Sequence, residues 1–314
     1  MPFVNVPHLH LLMNHVPTVG TVIGLGLFLL SFVRRSEHLR HASLEVFFLI
    51  ALASLPVYLT GLAAQGAIAG SAGVSDAAIA AHHDRAMLAF TFVEITGFVA
   101  WLALWQFRRL ARPAGWTTPV FLLLGVLTLA LMADAASVGG EIRHPEIKIS
   151  ETAIAASGWF TAASVESVVT NSPWVWPAAE TLHFIGLSLL FGVLFLVNLR
   201  LLGAGTLRAV SYASVHRLLP WGMLGLGVNL VTGMLFTIAA PDQYINNIPF
   251  YWKMGCLMIA GVNMLYLTVF DKLWALESGD DAAFLDKAIA LSSIGAWVGV
   301  IYAGRMLPFI GNAF

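Results

Sequence analysis

Eight runs of roughly twenty nearly uncharged, apolar residues recur along this chain, at about 13–33, 43–65, 85–106, 117–137, 178–201, 218–239, 249–270 and 287–309. Each is long enough for a helix to cross a bilayer core about 30 Å thick. Inside hydrocarbon every backbone amide must be satisfied within its own segment, so such runs fold as helices. Composition agrees: 59% of residues are hydrophobic, only 11% are charged, and the mean hydropathy is +0.82, values far from those of soluble domains. The expected fold class is an all-α integral membrane protein of about eight transmembrane helices in two four-helix bundles. Residues 1–137 form the N-terminal bundle in this reading and 178–314 the C-terminal one. The connection, 138–177, is too long to be plain loop. Within it Ile149 to Thr170 reads as a helix lying in the membrane interface, with Trp159 and Phe160 dipping inward.

Orientation follows from the basic residues. Arg34, Arg35, Arg40, Arg108, Arg109, Arg112, Arg200, Arg208, Arg217, Lys272 and Lys287 all fall on one side of the predicted topology, 11 of the 16 Lys and Arg. That side is expected to be cytoplasmic, which places both termini and the long connection outside, in a bacterial inner membrane. Trp105, Trp116, Trp221 and Trp274 near the inner helix ends, with Trp174, Trp176 and Trp252 near the outer ones, match interfacial aromatic belts. The first seven residues have no basic n-region and no small-residue cleavage site follows, so the first helix is expected to be retained. The two halves share a plan, each opening on a helix with an outer histidine, glycines and an exit arginine, which suggests a parallel duplication.

One cysteine, Cys256, excludes a disulfide framework, a thiolate zinc site and a Cys-x-x-Cys-His haem attachment. Any metal or haem must therefore be held by histidine, methionine or carboxylate. Of the ten histidines, His38, His41 and His216 fall among the inner arginines and read as solvated or phosphate-contacting. His8 and His10 precede the first span and are expected to be exposed. His15, His82, His83, His144 and His183 gather at the outer level. Two imidazoles on different helices at one depth, with small residues beside them, suit the axial ligation of a b-type haem. His15 with His83 is the first expected pair. His82 is the alternative to His83, because adjacent helical residues cannot face one iron. His183, in E-T-L-H-F-I-G, is expected to pair with His144, in G-G-E-I-R-H-P-E. Arg85, Arg143, Lys253 and Arg305 are cations that could meet haem propionates. Glu94 lies about 16 Å below His83 at 1.5 Å per residue, near the bilayer centre. It reads as a proton-delivery or quinone-lining group, or as a protonated acid bonded to a neighbouring helix. Asp134 is expected to be interfacial. For each histidine the plain alternative is a helix-to-helix hydrogen bond.

The motif N-H-V-P, a histidine at the third span and the G-G-E-I after the fourth resemble a bacterial four-helix membrane family with His-Phe-Pro and late Gly-Gly motifs. Here Val16 stands where that family has Phe. The stretches R-L-L-P-W-G-M-L-G-L-G-V-N-L-V-T-G-M-L-F, Y-I-N-N-I-P-F-Y-W-K-M-G and W-V-G-V-I-Y-A-G-R resemble a second four-helix group. That group is distantly like the membrane domain of copper-resistance protein D and b-type cytochromes. What the resemblance implies is a cytochrome subunit holding one or two haem b. It would carry electrons between a periplasmic carrier or dehydrogenase and membrane quinone, as part of a quinone-linked oxidoreductase complex. No nucleotide loop, flavin fingerprint or nucleic-acid-binding pattern is present in the sequence. Two other classes stay open: a copper-handling protein using His8, His10, Met13, His15, His82 and His83, and a structural membrane anchor.

Overall fold

The protein is described by a computed structural model covering residues 5–71, 74–110, 114–142 and 161–310. It is an all-α, multi-pass membrane protein with eight helices long and apolar enough to span a bilayer. The described chain divides into two compact units, Met1–Asn171 and Ser172–Phe314.

In the first unit, α1 (Val6–Met13) leads into α2 (His15–Arg34), followed by α3 (Glu37–Ile68), α4 (Asp76–Arg109), α5 (Thr117–Glu141) and the short α6 (Ala162–Asn171). Helix α2 ends where Arg35 takes a left-handed conformation, φ 49°. Helices α3 and α4 start on serine caps: Leu39 N donates to Ser36 Oγ and Ala78 N to Ser75 Oγ, each satisfying an amide that no helical turn can reach. The four long helices close a ring, α2 on α3, α3 on α4, α4 on α5 and α5 on α2, while α1 lies on α3 and α6 on α4. Small residues set the approach, since helices in lipid associate by close packing rather than by hydrophobic drive. Gly97 of α4 faces Ala51 of α3 with no room for a side chain, and Ser43 Oγ donates to Gly24 O across to α2 at 2.7 Å. Ile50, Ala51, Ala89, Val93, Met132 and Ala135 fill the space between α3, α4 and α5.

Two expectations change here. The third span was expected to start beside His83 but begins at Asp76, because Ser75 caps an alanine-rich stretch that propagates helix well ahead of the apolar run. His82 and His83 therefore sit in its second turn. Of the expected interfacial helix Ile149–Thr170, α6 supplies Ala162–Asn171; residues 143–160 lie outside the described chain. Helix α6 is tied to α4 by Ala163 N donating to Asp84 Oδ1 at 3.1 Å.

In the second unit the spans are α7 (Val175–Leu201), α9 (Leu219–Ala239), α11 (Ile248–Val269) and α13 (Phe284–Met306), with short helices α8 (Tyr212–His216), α10 (Pro241–Ile245) and α12 (Asp271–Trp274) between them. Helix α7 packs against α9 and α13, and α13 against α11. The α7–α9 crossing is a glycine contact: a Cβ built on Gly225 would lie 2.5 Å from Gly186 O and 2.8 Å from Leu190 N. At the far end of α7 the fully buried Arg200 donates to three main-chain carbonyls, Val210 O through Nε, Asp280 O through Nη1 at 3.3 Å and Glu277 O through Nη2 at 2.8 Å. Beside it His216, expected to be solvated, is buried between the rings of Tyr212 and Trp274, each centroid 4.4 Å away. Burial wins there because α8 folds back over the Val197, Leu201 and Leu267 cluster.

Just before α13, Asp281 Oδ2 accepts from Lys287 Nζ in the first turn of that helix at 2.8 Å, which holds the Asp281 carboxyl below its usual range. A depressed carboxyl pKa stabilises the fold above the unfolded value, and that contribution is lost as pH falls through the folded one. Asp281→Asn is expected to lower the Tm slightly at pH 7 and to match wild type in strong acid, as thermal melts at the two pH values would reveal. Equal Tm values at pH 7 would mean that this exposed pair contributes nothing.

Candidate histidine site

Three histidines share one arrangement that their sequence positions do not announce. His82 of α4 turns toward α5, with Nδ1 2.9 Å from Ala135 O. His10 of α1 turns toward α3, with Nδ1 3.1 Å from Val57 O and 3.3 Å from Thr60 Oγ1. His183 of α7 turns toward α9, with Nδ1 2.7 Å from Thr232 Oγ1. A carbonyl oxygen can only accept, so Nδ1 of His82 and of His10 carries the proton. Thr232 spends its own hydroxyl proton on Val228 O at 2.7 Å, so it too accepts from the imidazole. In the neutral form of all three rings Nδ1–H is thereby anchored and Nε2 holds the free lone pair. None of the three Nε2 atoms has a protein partner among the described residues, and none is sealed in the interior. Anchoring of the far ring nitrogen by a carbonyl or hydroxyl is what orients metal-ligating histidines.

Glycines make room for these rings. A Cβ on Gly139 would meet the His82 ring at 2.8 Å, and one on Gly61 would meet His10 at 2.9 Å. At Gly233 the corresponding distance to His183 is an easy 3.8 Å. In the first unit each imidazole thus lies against bare helix backbone. His10, docked on the late turns of α3, and His82, in the opening turns of α4, stand at the same end of the ring.

His10 was expected to be exposed and is half-buried. Asn5 caps α1 by accepting from His8 N at 3.3 Å, so residues 6–13 coil and lay His10 on α3. His8 stays exposed, and so does His15, whose Nδ1 meets Leu11 O one turn back at 3.0 Å. His83 is half-buried. His144 and Arg143 lie outside the described residues. Arg85 is committed elsewhere, its Nη1 meeting Asp134 Oδ2 at 2.5 Å, and Asp134 sits within α5 rather than at its end. Arg305 is exposed and stacks over Phe309, 5.5 Å from its centroid. Lys253 lies within electrostatic reach of His183, its Nζ 3.8 Å from where a side chain at Gly304 would begin. Nearby, outside the spans, burial and the Glu180 carboxylate push the Tyr244 phenol up to about 12, so it remains a neutral hydroxyl.

Among the described residues no three of His, Cys, Asp and Glu converge on one point. His10 and His82 would supply two imidazoles, the number haem iron takes from a protein when both its axial positions are filled. The donor set fits that group better than a trigonal or tetrahedral site built from side chains. The one signal in the sequence that could have singled out His10 and His82 is the glycine opposite each, Gly61 in T-G-L-A-A and Gly139 in V-G-G-E. No protein-family model, curated protein or solved structure matches the chain.

Proposed function

We propose that this chain is the b-type cytochrome subunit of a membrane electron-transfer complex, holding haem through His10 and His82. The observation that carries the reading is the pair of inward-turned imidazoles on α1 and α4, each fixed as the Nε2 lone-pair tautomer by a main-chain carbonyl. Haem, when bound, supplies one-electron redox chemistry. The chain's own part is to orient the two imidazoles, to surround them with apolar helices that lower the local dielectric, and so to set the potential. By the distribution of arginines, the His10 and His82 end is the outer face of a bacterial inner membrane, with both termini there. Electrons would pass between an outer redox partner, a periplasmic carrier or dehydrogenase subunit, and quinone in the bilayer. His183 offers one further ligand in the second unit; a second haem would need its other ligand from outside the described residues, where His144 lies.

The test is a reduced-minus-oxidised spectrum with pyridine haemochrome quantification per chain, on protein purified from its native membrane. Wild type is expected to carry haem, His10→Ala and His82→Ala each to lose the haem that this pair holds, and His15→Ala to keep it. Absence of haem from the native protein would defeat the reading, and copper retained in its place would move the assignment to a metal-handling protein.

A further inference from the structure

Midway along α4, Glu94 is held by a single neighbour. Ser54 Oγ on α3 lies 2.7 Å from Glu94 Oε1 and 2.7 Å from Ala51 O, one turn back on its own helix. A hydroxyl has one proton, and Ala51 O can only accept. Ser54 Oγ can aim its one proton at either oxygen, and both contacts are fully satisfied when it donates to Ala51 O and Glu94, as a carboxylic acid, donates to Ser54. Glu94 Oε2 has no partner among the described residues, and Glu94 is half-buried.

Charges around it are distant. On α4 the nearest ionisable groups are Arg85 on one side and Arg108 on the other, about 13 Å and 21 Å away along the axis at 1.5 Å per residue. On α3 the nearest titratable group is the Tyr58 phenol, four residues from Ser54 or about 6 Å along the helix and stacked on Phe90; His10 of α1 meets α3 at Val57, and the nearest carboxylate is Glu45, nine residues or about 13 Å away. On α5 it is Asp134, which is paired to Arg85, and α2 carries its ionisable groups, His15 and Arg34, at its ends. No cation compensates an ionised Glu94, and an uncompensated charge at mid-bilayer is costly by several kcal/mol or more.

We infer that Glu94 is a proton-holding site midway along α4: a neutral carboxylic acid, bonded to Ser54 and unbonded on its second oxygen, that keeps its proton with no charged partner. It is independent of haem, and its failure leaves the cytochrome reading standing.

Hydrophobic carbodiimides react with protonated carboxyls in apolar surroundings, so dicyclohexylcarbodiimide is the probe. Intact protein in lipid nanodiscs, treated at neutral pH and examined by peptide mass spectrometry, is expected to carry the adduct at Glu94 and not at the terminal Glu45 or Glu141. Infrared spectra should show an acid carbonyl stretch that shifts in deuterium oxide, disappears in Glu94→Gln and moves to higher frequency in Ser54→Ala, where the acceptor is gone. An unmodified Glu94 peptide, or a wild type without an acid carbonyl band sensitive to Glu94→Gln, overturns the proposal. The labelling experiment needs only wild-type protein, so it decides the matter even if a variant fails to fold.

Discussion

Gly225→Val is expected to separate α7 from α9 and to cost the second unit most of its stability. The first atom of the new side chain would fall 2.5 Å from Gly186 O and 2.8 Å from Leu190 N, both main-chain atoms of a helix that cannot give locally. Overpacking against side chains typically costs about 1–3 kcal/mol because they rotate away. Against backbone the helices themselves must part, so a loss above about 3 kcal/mol is expected. The damage should reach His183, since Thr232 is two turns along α9 from Gly225 and the imidazole lies one turn from Gly186. Gly192→Ala is the control: a Cβ there meets nothing within 4 Å, and alanine in a helix interior is neutral or stabilising by up to about 1 kcal/mol. Fluorescence-detected gel filtration and thermal melts in detergent would report both variants. A Gly225→Val protein that elutes and melts like wild type would show that α7 and α9 do not depend on this contact.

Arg200→Ala should be comparably severe through a different cause. The guanidinium is fully buried and caps three carbonyls drawn from two separate connections, Val210 before α8 and Glu277 and Asp280 after α12. Its removal leaves Val210 O and Asp280 O without donors and Glu277 O with Asp280 N alone, and each buried unsatisfied group costs about 1–3 kcal/mol. A total near 3–5 kcal/mol is a large part of the stability of any single domain. For a unit of this size that corresponds to a Tm lower by about 10 °C or more. Arg200→Lys should recover little, because one ammonium cannot address three divergent acceptors that a planar fork reaches at once. A Tm within a degree or two of wild type for the alanine variant would mean that water replaces the guanidinium at those carbonyls.

The spans were legible because the bilayer imposes a length and a composition that no other environment demands. The position of Glu94 midway along its helix was legible too, since counting along one uninterrupted helix needs no tertiary knowledge. The histidines were not. The choice between His82 and His83 depends on helical phase, and phase depends on neighbours: the placement of α5, with Gly139 opposite, is what sets the His82 ring against Ala135. His10 was misjudged because residues 6–13 are too short to register as a span, and their docking depends on Gly61 about fifty positions later. Arg200 reads in sequence as one more positive residue at a helix end. What removes it from the interface is a set of carbonyls that carry no signature in the sequence at all.

That arginine also has a meaning in time. Val210 follows Arg200 by ten residues in synthesis, whereas Asp280 follows by eighty. Through the making of α9 and α11 the guanidinium must wait, charged and partly unmatched, at the end of a helix already threaded into the bilayer. Only when the stretch before α13 arrives do its last two acceptors exist. The closing of the second unit is thereby tied to the near-completion of the chain, so a product truncated before Glu277 would keep an arginine that a chaperone or protease can still find.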